Sequence, residues 1–201
     1  MECITQKSAT APGTVVARKM DSQITCNGGA DSGGAVRCTD LLGFPPVLDV
    51  CCGSKMMWFD REDKRAHFQD KRNETLVADT REGRKPCVVN PDTVGDFTSL
   101  QFPDASFYVV VFDPPHLVDI SEKSWLAMKY GRLTGDWKDQ IRDGFSECFR
   151  VLKPGGVLIF KWAESHIPLP DILNLTTETP LFGNRTGKTG QTHWVLFWKP
   201  N

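Results

Sequence analysis

The sequence has no long hydrophobic run. Nothing in its 201 residues approaches the roughly 18 consecutive apolar residues that a membrane span needs, so no membrane partner is expected. The N-terminus, Met1-Glu2-Cys3-Ile4-Thr5-Gln6-Lys7, lacks a basic stretch followed by an apolar core. A secretory leader is therefore not expected, and a cytoplasmic location is. Excess charge of one sign is also missing. With 24 Lys and Arg against 25 Asp and Glu, the net charge is -1, which argues against gripping nucleic acid by bulk charge. Metal-ligand spacing is absent as well. The seven cysteines are odd in number, contain no CxxC, and include the adjacent pair Cys51-Cys52. That pattern fits reduced thiols rather than a disulfide framework, and no metal site is expected.

Residues 1–40 are poor in large apolar side chains. Gly28-Gly29-Ala30-Asp31-Ser32-Gly33-Gly34 has no periodicity and many turn formers, which predicts a flexible N-terminal arm. The folded domain is then expected over 41–201.

That domain reads as strands alternating with helices. Val47-Leu48-Asp49-Val50-Cys51-Cys52 predicts a short buried strand, with Gly53-Ser54 turning into a helix over about 55–63. Ala66-His67-Phe68-Gln69 predicts a second strand with Asp70 at its end, 21 positions after Asp49, the length of one strand–helix–strand unit. A polar segment including 73–85 follows, then a candidate strand at Cys87-Val88-Val89 and turn-like residues at 95–100. Residues 117–135 form a long polar stretch, expected as a mobile loop. Ile141, Phe145, Cys148, Phe149 and Leu152 recur at helical spacing, which predicts a helix over 137–152. Pro154-Gly155-Gly156 is expected to stop it before a strand at Val157-Leu158-Ile159-Phe160. Residues 183–190 suggest a hairpin tip before a last strand at Trp194-Val195-Leu196-Phe197-Trp198. This alternation implies an α/β, doubly wound sheet.

One stretch stands out: Val109-Val110-Val111-Phe112-Asp113-Pro114-Pro115-His116. Its first half predicts a strand buried on both faces. Its second half cannot continue that strand, because proline lacks an N–H and fixes φ. A stiff polar tetrapeptide is thus held at the carboxyl end of a central strand, where open α/β sheets bind ligands. Nearby charge is uneven. Between Pro86 and His116 stand Asp92, Asp96, Asp104 and Asp113 with no Lys or Arg, so an acid-lined pocket is one reading and an ordinary mixed surface the other.

Taken together, Asp49-Val50-Cys51-Cys52-Gly53, Asp70, Gly95-Asp96-Phe97, the Asp113-Pro114-Pro115-His116 strand end and Val151-Leu152-Lys153-Pro154-Gly155-Gly156-Val157-Leu158 resemble, in order, the motifs of class I S-adenosylmethionine-dependent methyltransferases. The resemblance implies a Rossmann-like seven-stranded sheet, mostly parallel with an antiparallel C-terminal strand, and S-adenosyl-L-methionine as cofactor. It implies cofactor contacts at Asp49, Cys51, Gly53, Asp70, Asp96, Phe97 and Asp113. Asp49 would hold the methionine amino end and Asp70 the ribose hydroxyls. Asp96 would accept from the adenine amino group, and the Phe97 N–H would face a ring nitrogen. Two positions depart from the family pattern: Cys51 replaces its first glycine, and Lys55 stands where a third is found.

The tetrapeptide Asp113-Pro114-Pro115-His116 is similar to the signature of the amino-methylating branch, with His116 in the slot usually held by an aromatic ring. That resemblance implies catalytic roles for Asp113, Pro114, Pro115 and His116 and an exocyclic nucleobase amine as acceptor. Adenine N6 in DNA leads, ahead of RNA, a protein amine or a small-molecule amine. A degenerate fold acting only as a binding module is the non-enzymatic alternative. Trp125, Tyr130 and Trp162 are further stacking candidates. With little chain left for a recognition domain, a protein partner for target recognition is expected.

Overall fold

The structure, a computed structural model, describes residues 43–80, 83–188 and 190–201. The expected arm over 1–40 lies outside the described residues. β1 (Val47–Asp49), β2 (Ala66–Asp70), β5 (Thr93–Val94), β6 (Phe107–Phe112), β7 (Leu152–Ala163), β8 (Phe182–Thr186) and β9 (Thr192–Trp198) form one seven-stranded sheet in the order β5-β2-β1-β6-β7-β9-β8. The first five strands in that order pair in parallel, and β9 runs antiparallel to both neighbours. This is the expected mostly parallel α/β sheet with an antiparallel C-terminal strand. The order reverses at β1 and β6, so their carboxyl ends flank the crevice of a doubly wound sheet.

The core explains why these segments are strands. Leu48, Val110, Phe112, Leu158, Phe160 and Phe197 are buried almost completely, as continuous apolar runs in a covered sheet should be. Helix α2 (Trp137–Val151) lays Ile141, Phe145, Cys148 and Phe149 against them. Phe145 meets Phe112 edge-on at 5.6 Å between ring centroids. Gly144 lets the helix approach closely, since a Cβ there would lie 2.6 Å from Phe112 Cζ. The Lys199 ammonium donates to the Phe149 and Leu152 carbonyls at 2.6 and 2.7 Å, a cation on the free carbonyls of the helix end.

Several expectations are corrected. β1 stops at Asp49 rather than Cys52. No helix forms over 55–63; the segment is a series of turns. Gly53 and Lys55 take φ of +50° and +55°, and two left-handed residues in three interrupt a right-handed helix before its first turn closes. The polar segment after β2 is an antiparallel hairpin of β3 (Glu74–Thr80) and β4 (Gly83–Val89). Cys87, Val88 and Val89 are strand as expected, within β4 of that hairpin, and the two-residue β5 forms the edge of the seven-stranded sheet beside β2. The stretch 117–135 contains a short helix, α1 (Trp125–Tyr130), capped by the Ser124 hydroxyl, which accepts from the Ala127 N–H at 3.1 Å. Pro154, Gly155 and Gly156 lie within β7, because the chain is already extended at Leu152 (ψ 132°). Residues 183–186 are strand β8, and the turn begins at Gly187. A third short helix, α3 (Leu169–Leu173), follows β7. Among the described residues no helix is long and apolar enough to cross a membrane.

Candidate active site

A cavity of about 640 Å³ opens at the carboxyl ends of β1, β2 and β6. Its wall includes Cys51, Gly53, Asp70, Asp96, Phe97 and the whole of Asp113-Pro114-Pro115-His116. The structure therefore brings together every residue expected at the site except Asp49, which is not part of the wall.

Asp49 is fully buried. The Trp58 indole N–H donates to Oδ2 at 2.7 Å, and the Cys51 N–H donates to Oδ1 at 3.3 Å. Burial raises its carboxyl to about 7 despite these donors. Its observed partners are the chain segments around the site, which it ties together from below. Burial also pushes the Cys51 and Cys52 thiols up, so neither supplies a thiolate at neutral pH.

Gly53 takes φ +50°, and a Cβ there would meet no atom within 4 Å. The space in front of it belongs to the cavity, so the backbone presents itself without a side chain, as close approach of a ligand requires. Its N–H turns back to donate to Asp70 Oδ2 at 2.8 Å. The other Asp70 oxygen accepts from the Arg72 N–H at 2.9 Å and faces the Arg72 guanidinium at 3.4 Å. Asp96 caps its own turn by accepting from the Thr98 N–H and hydroxyl, both at 3.0 Å, and pairs with Lys71 at 2.8 Å. These contacts hold its carboxyl below the usual range despite partial burial. The Phe97 ring is buried against Phe112 at 5.5 Å.

Asp113 emerges where β6 ends. The register pairs Phe112 with Phe160 on β7, so the next residues, Asp113 and Lys161, come side by side. Lys161 Nζ lies 2.5 Å from Asp113 Oδ2. Burial raises the Asp113 carboxyl and the Lys161 charge opposes that rise. Pro115 packs on the end of α1, where a Cβ on Gly131 would lie 3.1 Å from Pro115 Cγ. The His116 ring sits 5.5 Å from Tyr130 and 6.3 Å from Trp162. Burial, with the nearby Lys161 and His166, lowers its imidazole to about 4, so the ring is neutral at pH 7. Of the stacking candidates, Tyr130 lines the cavity and Trp125 does not. Trp162 is core: it is fully buried and its indole N–H donates to the Ile167 carbonyl at 2.9 Å.

The cavity is roofed by two insertions. Glu74 and Leu76 of β3 and Ala127 and Tyr130 of α1 all line it. Arg72 links them to the sheet by donating to the Met128 carbonyl at 2.8 Å. Trp58, Lys71, Arg72 and Lys161 are the partners sequence reasoning missed. Three acids of the wall meet a cation from outside the acid-rich window: Asp70 meets Arg72, Asp96 meets Lys71, and Asp113 meets Lys161. The pocket is therefore a lattice of charge pairs rather than a patch of one sign. Lys161 alone left a trace in the sequence, as the first charge after the apolar run 157–160. Among the described residues no group of His, Cys, Asp and Glu is placed to hold a metal ion.

No protein-family model matches the chain, and no curated protein matches it. Solved structures do. A protein from Pyrococcus horikoshii is 18% identical over 77% of this chain and 81% of its own, with a TM-score of 0.47. The N-methyltransferase NodS from Bradyrhizobium japonicum is 13% identical over 78% and 86%, with a TM-score of 0.47. A SAM-dependent methyltransferase from Methanosarcina mazei is 15% identical over 77% and 92%, with a TM-score of 0.45. At such identities and TM-scores the likeness carries no inference about activity or ligand.

Proposed function

We propose that this chain is an S-adenosylmethionine-dependent N-methyltransferase acting on an exocyclic amine of a nucleobase, with adenine N6 in DNA as the first target. One observation carries the reading: Asp113-Pro114-Pro115-His116 opens into the same cavity as Gly53, Asp70, Asp96 and Phe97. The residues fit the cofactor. Gly53 offers bare backbone to the cavity, Asp70 stands at the ribose position of dinucleotide-binding sheets, and the Phe97 N–H has no partner among the described residues. Bound there, S-adenosylmethionine supplies an electrophilic methyl group on a sulfonium.

The chain's own groups orient the acceptor. An aryl amine is a weak nucleophile because its lone pair is delocalised into the ring. Asp113 Oδ1 and the Pro114 carbonyl accept its two N–H groups and aim the lone pair at the methyl carbon. Positioning of this kind supplies much of the rate. Transfer would form the nitrogen–methyl bond and break the sulfur–methyl bond, leaving a neutral thioether, and the amine's proton would pass to water. In duplex DNA the base must first leave the stack. His116, neutral and next to Tyr130, offers it an apolar ring face. A free nucleoside or similar heteroaromatic amine is the second reading. It is favoured by the size of the site, a cavity of about 640 Å³ whose wall includes residues of α1 and β3.

The test is mass spectrometry of nucleosides from DNA, RNA and free adenosine incubated with the protein and methyl-labelled cofactor. Labelled N6-methyladenine is expected, and Asp113→Ala should abolish it. Undiminished transfer by that variant sinks the proposal.

A further inference from the structure

Resting on that reading, we infer that Lys161 is a specificity-determining residue: paired with Asp113, it makes the acceptor site select amines that are uncharged near neutral pH and reject alkylammonium groups. A carboxylate alone at the end of β6 would attract any ammonium ion. The register of β6 and β7 prevents that by setting Lys161 beside Asp113, 2.5 Å from Oδ2. Both side chains are about a quarter exposed, at 24% and 22%, so water screens neither fully. Oδ1 of Asp113 has no hydrogen-bond partner among the described residues and stays free to accept an N–H.

The charges around the pair do not restore an excess of acid. Asp49, behind it on β1, is buried and hydrogen-bonded to Trp58 and Cys51. Asp70, at the end of β2, is matched by Arg72. Lys161 and His166 both act on the His116 imidazole and disfavour its protonation. Behind Lys161, the Trp194 ring of β9 lies 5.7 Å from its ammonium. A protonated alkylamine entering this site would put a second cation beside Lys161, where Asp113 is already matched. Its nitrogen would also carry a proton where a lone pair is needed, and alkylamines near a pKa of about 10 are almost wholly protonated at pH 7. An aryl or heteroaryl amine brings no charge and two N–H donors.

The experiment compares methyl transfer to adenosine, 2-aminopyridine, spermidine and Nα-acetyllysine at pH 7. The enzymes are the wild type, Lys161→Met and Lys161→Arg, with Lys161→Gln as replacement if the methionine variant fails to fold. Wild type and Lys161→Arg should favour the aryl amines at least 100-fold in kcat/KM. Lys161→Met should lower that ratio at least tenfold by accepting alkylamines. Equal use of spermidine by the wild type, or an unchanged ratio in Lys161→Met, overturns the inference. If no amine is methylated, it is the activity reading that fails. The pair is then judged by carboxyl NMR of carbon-13 aspartate-labelled protein. Asp113 should titrate at higher pH in Lys161→Met than in the wild type, and identical titrations overturn the inference.

Discussion

The Trp58 indole N–H donates to Asp49 Oδ2 at 2.7 Å, joining an irregular turn to the end of a central strand beneath the cavity. This bond accounts for the local fold. Without a helix after β1, the chain is held by an inward-facing tryptophan that also meets Phe68 edge-on at 4.9 Å. Replacing Trp58 with Phe removes the donor and keeps most of the ring. It should cost about 1–3 kcal/mol, because a buried acceptor loses its partner. Urea denaturation should show this as a lower midpoint with an unchanged slope.

Asp49 also makes stability depend on pH. Its carboxyl is near 7 in the folded protein against 3.8 in the unfolded chain. Between those values the native state holds a proton that the unfolded chain has released, so stability falls as pH rises from about 4 to about 7. The loss should reach a few kcal/mol, at about 1.36 kcal/mol per pH unit. Asp49→Asn should flatten this dependence, giving urea midpoints at pH 5 and pH 8 that lie closer together than in the wild type.

Arg72 ties the roof to the sheet through Asp70 and the Met128 carbonyl. In Arg72→Ala the short helix α1 loses its link to β2. Amide exchange over Trp125–Tyr130 should speed up about tenfold or more, the equivalent of one charge-assisted hydrogen bond. Exchange in β6 and β7 should stay unchanged, and an unaltered rate in α1 would show that the roof is held by other contacts.

Gly144→Ala tests the packing behind the site. The new Cβ would lie 2.6 Å from Phe112 Cζ and 2.8 Å from Phe97 Cδ2, so rings or helix must shift. Despite the gain in helix propensity, a net loss of about 1–3 kcal/mol is expected from overpacking. Calorimetry should record a lower Tm.

The strands β1, β6, β7 and β9 were legible because they carry apolar runs too rich in Val, Leu, Ile and Phe to lie anywhere but in a covered sheet, and α2 because it carries its apolar residues at helical spacing. Asp70 and Asp113 were legible for a related reason: a polar residue that ends a buried strand sits at the sheet's edge. The turns over 55–63 were not legible, since Lys55 carries no mark of its φ of +55°. Nor was the β3–β4 hairpin, whose polar strands pair with each other rather than with the core.

By itself the sequence determined the α/β layering, the crevice and the proline-stiffened acid beside it, because these depend on local periodicity and on backbone chemistry carried by single residues. Tertiary structure alone decided the charge state of the site. The partners of Asp70, Asp96 and Asp113 follow from how strand ends and loops meet, and Lys161 stands beside Asp113, 48 residues away, only because β6 and β7 pair in register.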